Sequence, residues 1–71
     1  MISERIKATR KSLKLTQKQV AKLVSVTQTA ISNWESGRDE PKGKNLSALS
    51  KVLKVDSEWI LSGVNNPQLS G

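Results

Sequence analysis

A chain of 71 residues with a net charge of +6 makes one small domain, and with no cysteine and no histidine its core has to stand on packing alone, without disulfides or a zinc cluster. The longest uninterrupted apolar stretch is Trp59-Ile60-Leu61, and Glu4 and Arg5 come before any signal-like region, so neither a membrane span nor export is expected and a cytoplasmic location is the expectation. The six acidic residues, Glu4, Glu35, Asp39, Glu40, Asp56 and Glu58, form no catalytic or metal-binding pattern, so no enzyme activity, metal, cofactor or small-molecule substrate is expected.

The charge is uneven. Arg5, Lys7, Arg10, Lys11, Lys14, Lys18 and Lys22 stand against Glu4 alone in the first 23 residues, whereas the remainder balances. A basic half beside a neutral half suits phosphates. The two aromatics, Trp34 and Trp59, are not interleaved with basic runs as in proteins that stack single-stranded bases, which favours a duplex.

In chain order, the spacing predicts a first helix over residues 3 to 13, with Ser3 as N-cap and Ile2, Ile6 and Leu13 on one stripe opposite a basic face. Thr16 and Gln19 form a capping box for a second helix, with Leu15 placed as a staple against Val20. Its apolar residues are Val20, Ala21, Leu23 and Val24; small Ala21 allows a close helix crossing. After a break at Ser25 and Val26, Thr27 caps a third helix that carries Ala30, Ile31 and Trp34 and ends at Gly37. Residues 37 to 44 read as a loop through Gly37, Pro41 and Gly43. Asn45 is the expected cap of a fourth helix with Leu46, Leu49, Val52 and Leu53, and Asp56 caps a short fifth, residues 57 to 62, ended by Gly63. Residues 64 to 71 lack an apolar period and are expected to form a loosely ordered tail after a domain over 1 to 63. The fold class is all-α, with five short helices.

The second and third helices with their tight turn carry the functional signal. Gln28, Thr29, Ser32 and Asn33 remain on the outer face of the third helix, and neither Lys nor Glu, the usual residues of a solvated face, lies between Thr27 and Trp34. Amides offer the donor and acceptor pair that suits adenine N6 and N7, and a threonine methyl suits the thymine methyl. The pattern points to the reading of base edges in a major groove.

These residue types and spacings resemble the DNA-binding domains of the Cro and CI repressors of lambdoid bacteriophages, within the XRE helix-turn-helix family. The resemblance runs over residues 3 to 63 and is carried by Glu4-Arg5-Ile6 with Arg10, Leu15-Thr16-Gln17, Val20-Ala21, Ala30-Ile31-Ser32-Asn33-Trp34-Glu35, Gly37, Pro41, Leu46, Leu49 and Trp59-Ile60-Leu61 with Gly63. It implies a compact five-helix, lambda-repressor-like domain. It further implies base contacts from Thr27, Gln28, Thr29, Ser32 and Asn33, with Thr27 and Asn33 shared between base and phosphate. Phosphate contacts are implied for Arg10, Gln17, Arg38, Lys42 and Lys44, and a structural salt bridge for Arg10 with Glu35. Relatives usually carry Gly where this chain has Ser25, so a left-handed serine is expected there.

The resemblance implies a sequence-specific repressor of transcription that binds double-stranded operator DNA as a homodimer, weak without DNA, on a palindrome. Candidate interface residues between copies are Asn45, Val55, Asp56 and Trp59, of which Trp59 also fits a core position. If the 71 residues are a whole gene product, the expectation is a Cro rather than a CI, while an excised repressor domain would read much the same. The alternative is a DNA-binding antitoxin of a toxin-antitoxin pair, which ranks lower because only eight residues, without apolar anchors, are spare for a protein partner.

Overall fold

The computed structural model describes residues 1–63; the expected tail, 64 to 71, lies outside the described residues. Five helices follow one another: α1 (Ile2–Ser12), α2 (Gln17–Val24), α3 (Gln28–Ser36), α4 (Gly43–Leu53) and α5 (Ser57–Ser62). No strand occurs among the described residues. α3 packs against both α1 and α2; α4 packs against α2 and α1, and α5 against α1 and α4.

Ile6, Val20, Ala21, Val24, Ile31, Trp34, Leu49, Leu53, Val55 and Ile60 form a single core to which every helix contributes. Ile31 and Leu49 are fully enclosed. Truncating either to alanine removes about 2–5 kcal/mol, through lost transfer energy and the cavity left behind. Leu23 departs from its expected place: it lies at the edge of the α2 stripe and is 59% exposed.

The first four helices end alike. Lys14 (φ 61°), Ser25 (φ 69°), Gly37 (φ 84°) and Lys54 (φ 60°) are left-handed, and after each one the next N–H reaches back five residues. Those bonds are Leu15 to Arg10 (3.2 Å), Val26 to Ala21 (2.9 Å), Arg38 to Asn33 (3.0 Å) and Val55 to Ser50 (3.0 Å). In this C-terminal motif an apolar residue after the left-handed one folds back onto the helix it terminates. Leu15, Val26 and Val55 do so, and all three reach the core.

Two helix starts differ from the sequence expectation. α1 begins at Ile2 rather than after Ser3, because the Arg5 N–H already bonds the Met1 carbonyl at 3.0 Å. α4 begins at Gly43, with Lys42 rather than Asn45 as N-cap, since the Asn45 N–H bonds the Lys42 carbonyl at 3.1 Å. Gly43 enters the helix with φ 55°, a conformation open to it for want of a Cβ.

Candidate nucleic-acid interface

α2 and α3 are both started by threonine. Thr16 Oγ1 accepts from the Gln19 N–H at 3.0 Å while Gln19 Oε1 accepts from the Thr16 N–H at 2.8 Å, which closes the box in both directions. Thr27 Oγ1 accepts from the Ala30 N–H at 3.1 Å. Between them Ser25 takes φ 69° and ψ 46°, so a serine occupies the left-handed corner of the turn.

The turn and caps fix which side of α3 faces outward. Ile31 and Trp34 point into the core, Gln28, Thr29 and Ser32 are exposed, and Asn33 is half-buried. Within the described residues the side chains of Gln28, Thr29, Ser32 and Asn33 make no hydrogen bond. Their donors and acceptors are therefore unspent, on a helix whose opposite face is locked in the core. Thr27 differs: its oxygen already serves as a cap acceptor, which leaves its hydroxyl proton to give.

Arg10, Gln17 and Glu35 meet beneath this surface. Arg10 Nε donates to Glu35 Oε2 at 2.6 Å and Arg10 Nη2 to Oε1 at 3.0 Å, a two-pronged ion pair between α1 and α3. The side chains are only 11% and 3% exposed. Arg10 Nη1 donates to the Leu15 carbonyl at 2.8 Å, and Gln17 Nε2 donates to Glu35 Oε1 at 3.1 Å. Arg10 is thus turned inward, with a donor on each of its three nitrogens engaged within the fold. This is the salt bridge that the resemblance implies for Arg10; Nη1 and Nη2 each keep a second N–H, the donors that the expected phosphate contact would use.

The basic half divides in the same way. Arg5 donates from Nε to the Ile60 carbonyl at 3.0 Å and from Nη2 to the Leu61 carbonyl at 3.1 Å, binding α1 to the end of α5. Lys7, Lys11, Lys14, Lys18 and Lys22 are exposed. Arg38, Lys42 and Lys44 are exposed as well, and Lys42 and Lys44 stand at the start of α4, the end at which the helix dipole disfavours a cation. A local rule broken without compensation in the fold is characteristic of a functional surface.

Of the residues expected between copies, Asn45, Asp56 and Trp59 are half-buried; Asp56 caps α5, its Oδ1 accepting from the Glu58 N–H at 3.3 Å. Val55 is a correction. It is 4% exposed and belongs to the core, because the left-handed Lys54 folds it back onto α4. Sequence reasoning also missed Arg5 and the bond from Gln17 to Glu35; no local pattern marks either, since both join residues distant in the chain.

Among the described residues no group of acidic side chains could hold a metal ion, and no helix is long and apolar enough to cross a membrane.

Comparison with known proteins agrees with this geometry. The chain is 49% identical over 67 residues to the HTH-type transcriptional regulator DicA of Escherichia coli (strain K12), covering 94% of this chain and 50% of DicA. It is 46% identical over 63 residues to the repressor protein C2 of Salmonella phage P22, covering 89% of this chain and 29% of C2. The chain therefore spans half or less of the length of these relatives. A crystal structure of the P22 c2 repressor with a synthetic operator superposes with a TM-score of 0.87 at 46% identity, over 89% of this chain and 96% of that one. The fold is that of the lambda-repressor-like DNA-binding domains, and these relatives are regulators of transcription rather than enzymes. Residues 6–60 match the helix-turn-helix family model, and the chain belongs to that family, in its XRE branch.

Proposed function

We propose that this chain is a sequence-specific double-stranded DNA-binding domain of a transcriptional repressor of the phage Cro and CI type, acting as a homodimer on a palindromic operator. The observation that carries the reading is the outer face of α3, where Gln28, Thr29, Ser32 and Asn33 keep uncharged polar groups unspent on a rigidly held helix. Gln28 pairs with an adenine edge, the Thr29 methyl meets a thymine methyl, and Ser32, Asn33 and the Thr27 hydroxyl complete the contact. Gln17, Arg38, Lys42 and Lys44 hold the phosphates on either side, which fixes register without reading sequence. Arg10 supports the site through Glu35 and keeps a second N–H on each of Nη1 and Nη2 for a phosphate. Asn45, Asp56 and Trp59 lie at the surface between copies. The protein works where the chromosome is, in the cytoplasm of a bacterial host.

Selection of binding sites from random duplex DNA tests the reading. The expected product is a short approximate palindrome whose half-sites are enriched in A·T pairs at the positions met by Gln28 and Thr29. A pool without enrichment would overturn sequence-specific binding.

A further inference from the structure

The amide of Gln17 faces a carboxylate, and this settles which of its two ends does so. Glu35 can only accept, so the atom 3.1 Å from its Oε1 is the donor Nε2. The same carboxylate takes both prongs of Arg10 at 2.6 and 3.0 Å and is almost wholly covered, 3% exposed. Three helices are joined at one group: α1 through Arg10, α2 through Gln17 and α3 through Glu35.

A carboxylate close to a phosphate contact is unfavourable on charge alone. Arg10 cancels that charge at bonding distance. What Gln17 meets is a neutralised acceptor held in place by Arg10, which is itself fixed on the Leu15 carbonyl at 2.8 Å. One N–H of the amide is committed to Glu35, and the other is left for an acceptor outside the fold. Gln17 is also the first residue of α2, so its backbone N–H belongs to the set that has no partner within the helix. A long side chain fixed before its ligand arrives has less rotamer freedom to lose on binding.

We infer that Glu35 is a positioning residue for DNA-backbone binding: neutralised by Arg10, it fixes the Gln17 amide so that the second N–H is ready for a phosphate oxygen. The inference rests on the proposed phosphate contact of Gln17 and adds to it a residue that never touches DNA.

The test measures affinity for the duplex recovered by site selection, with Gln17→Ala, Gln17→Asn, Glu35→Gln and the Gln17→Ala/Glu35→Gln pair. Gln17→Ala should weaken binding about 3- to 10-fold, the range of one hydrogen bond. Gln17→Asn should weaken it equally: it keeps an amide but is one methylene too short to reach Glu35, and it leaves the ion pair intact. Glu35→Gln should weaken binding in the parent chain and have no further effect once Gln17 is alanine. The Gln17 side-chain amide signals, read by NMR without DNA, should shift in Glu35→Gln. A merely structural Glu35 would give the same loss in both backgrounds, and that result would overturn the inference. So would Gln17→Asn binding like the parent chain while Gln17→Ala is weak, and this arm decides if Glu35→Gln fails to fold. Parent-like binding by Gln17→Ala would remove the phosphate contact itself, and the positioning role with it, while leaving base reading by α3 untouched.

Discussion

Arg5 lies so closely across the last turn of α5 that a Cβ added to Gly63 would come within 2.9 Å of its Nη1. The guanidinium is not free to swing aside, because it is bonded to the carbonyls of Ile60 and Leu61 at 3.0 and 3.1 Å. Those carbonyls belong to the set that a helix leaves unpaired at its C-terminus, where a cation is also favoured by the dipole.

Gly63 has φ 72° and Gly37 has φ 84°, yet a Cβ on Gly37 would meet nothing closer than Ser3 Oγ at 3.8 Å. Gly37→Ala should therefore cost only the left-handed penalty, about 1–2 kcal/mol. Gly63→Ala should cost that and part of the Arg5 contacts, about 1 kcal/mol more. Urea unfolding of the two variants compares them directly, and a smaller loss at Gly63 would show that Arg5 contributes nothing at this end of the molecule.

Ser25 gives the opposite sign. At φ 69° a serine bears a cost that glycine does not, so Ser25→Gly should raise stability, by at most about 1 kcal/mol because glycine also gains freedom in the unfolded chain. A lower unfolding midpoint at unchanged denaturant slope would contradict this.

Breaking the covered ion pair should be the costliest of these changes. Arg10→Met leaves Glu35, 3% exposed, with a buried charge and no cation, and a loss of about 3–5 kcal/mol is expected. Replacing both residues by apolar ones of similar size should recover much of it, since the pair offsets its own desolvation. Equilibrium unfolding of the single and double variants checks both statements; a single-variant loss below about 1 kcal/mol would place the pair in the class of solvent-screened surface bridges.

Helix number, order and chemistry were legible in the sequence because local signals agreed. Thr16 with Gln19, Thr27, Asp56, Gly37 and Gly63 each carry a cap chemistry readable from neighbouring residues, and each acts where it was expected. Ser3 and Asn45 carry the same chemistry and do not act, because Met1 and Lys42 offer backbone carbonyls two and three residues earlier. A cap residue marks a possible start, and the backbone bond decides among starts. Val55 was misread for a related reason. Lys14-Leu15, Ser25-Val26 and Lys54-Val55 all place an apolar residue after a left-handed polar one, a repeated pattern that would have put Val55 in the core. The outer face of α3 followed from what its helical stripe left over. The Gln17 and Arg5 contacts did not, since they depend on how helices lie across one another.

Base and phosphate contacts should separate in binding experiments. Gln28→Ala removes the amide proposed to read a base edge and should weaken binding to the selected duplex by roughly 1–3 kcal/mol, with little change on unrelated DNA. Lys42→Ala should weaken binding to both about equally and lower the slope of log affinity against log salt by about one. Equal losses on both duplexes for Gln28→Ala would remove it from the base-reading set, and an unchanged slope for Lys42→Ala would remove Lys42 from the phosphate contacts.

Assembly provides the last prediction. α3 has 9 residues and presents its polar groups on one side only, so a single copy can reach only about four or five base pairs. On the proposed reading, specific affinity needs two copies, with recognition helices in successive major grooves roughly 34 Å apart. The proposed surface between copies, Asn45, Asp56 and Trp59, is small and partly polar, and Val55 lies inside the core. A dimer resting on so little area should be weak in free solution and strengthened by DNA, because the operator holds both copies close together. Sedimentation of the free chain should show mainly monomer at micromolar concentration, while titration onto the selected palindrome should be cooperative in protein. Footprinting should protect one side of the duplex over both half-sites. Tight one-to-one binding, unaffected when the second half-site is scrambled, would rule out the dimeric mode.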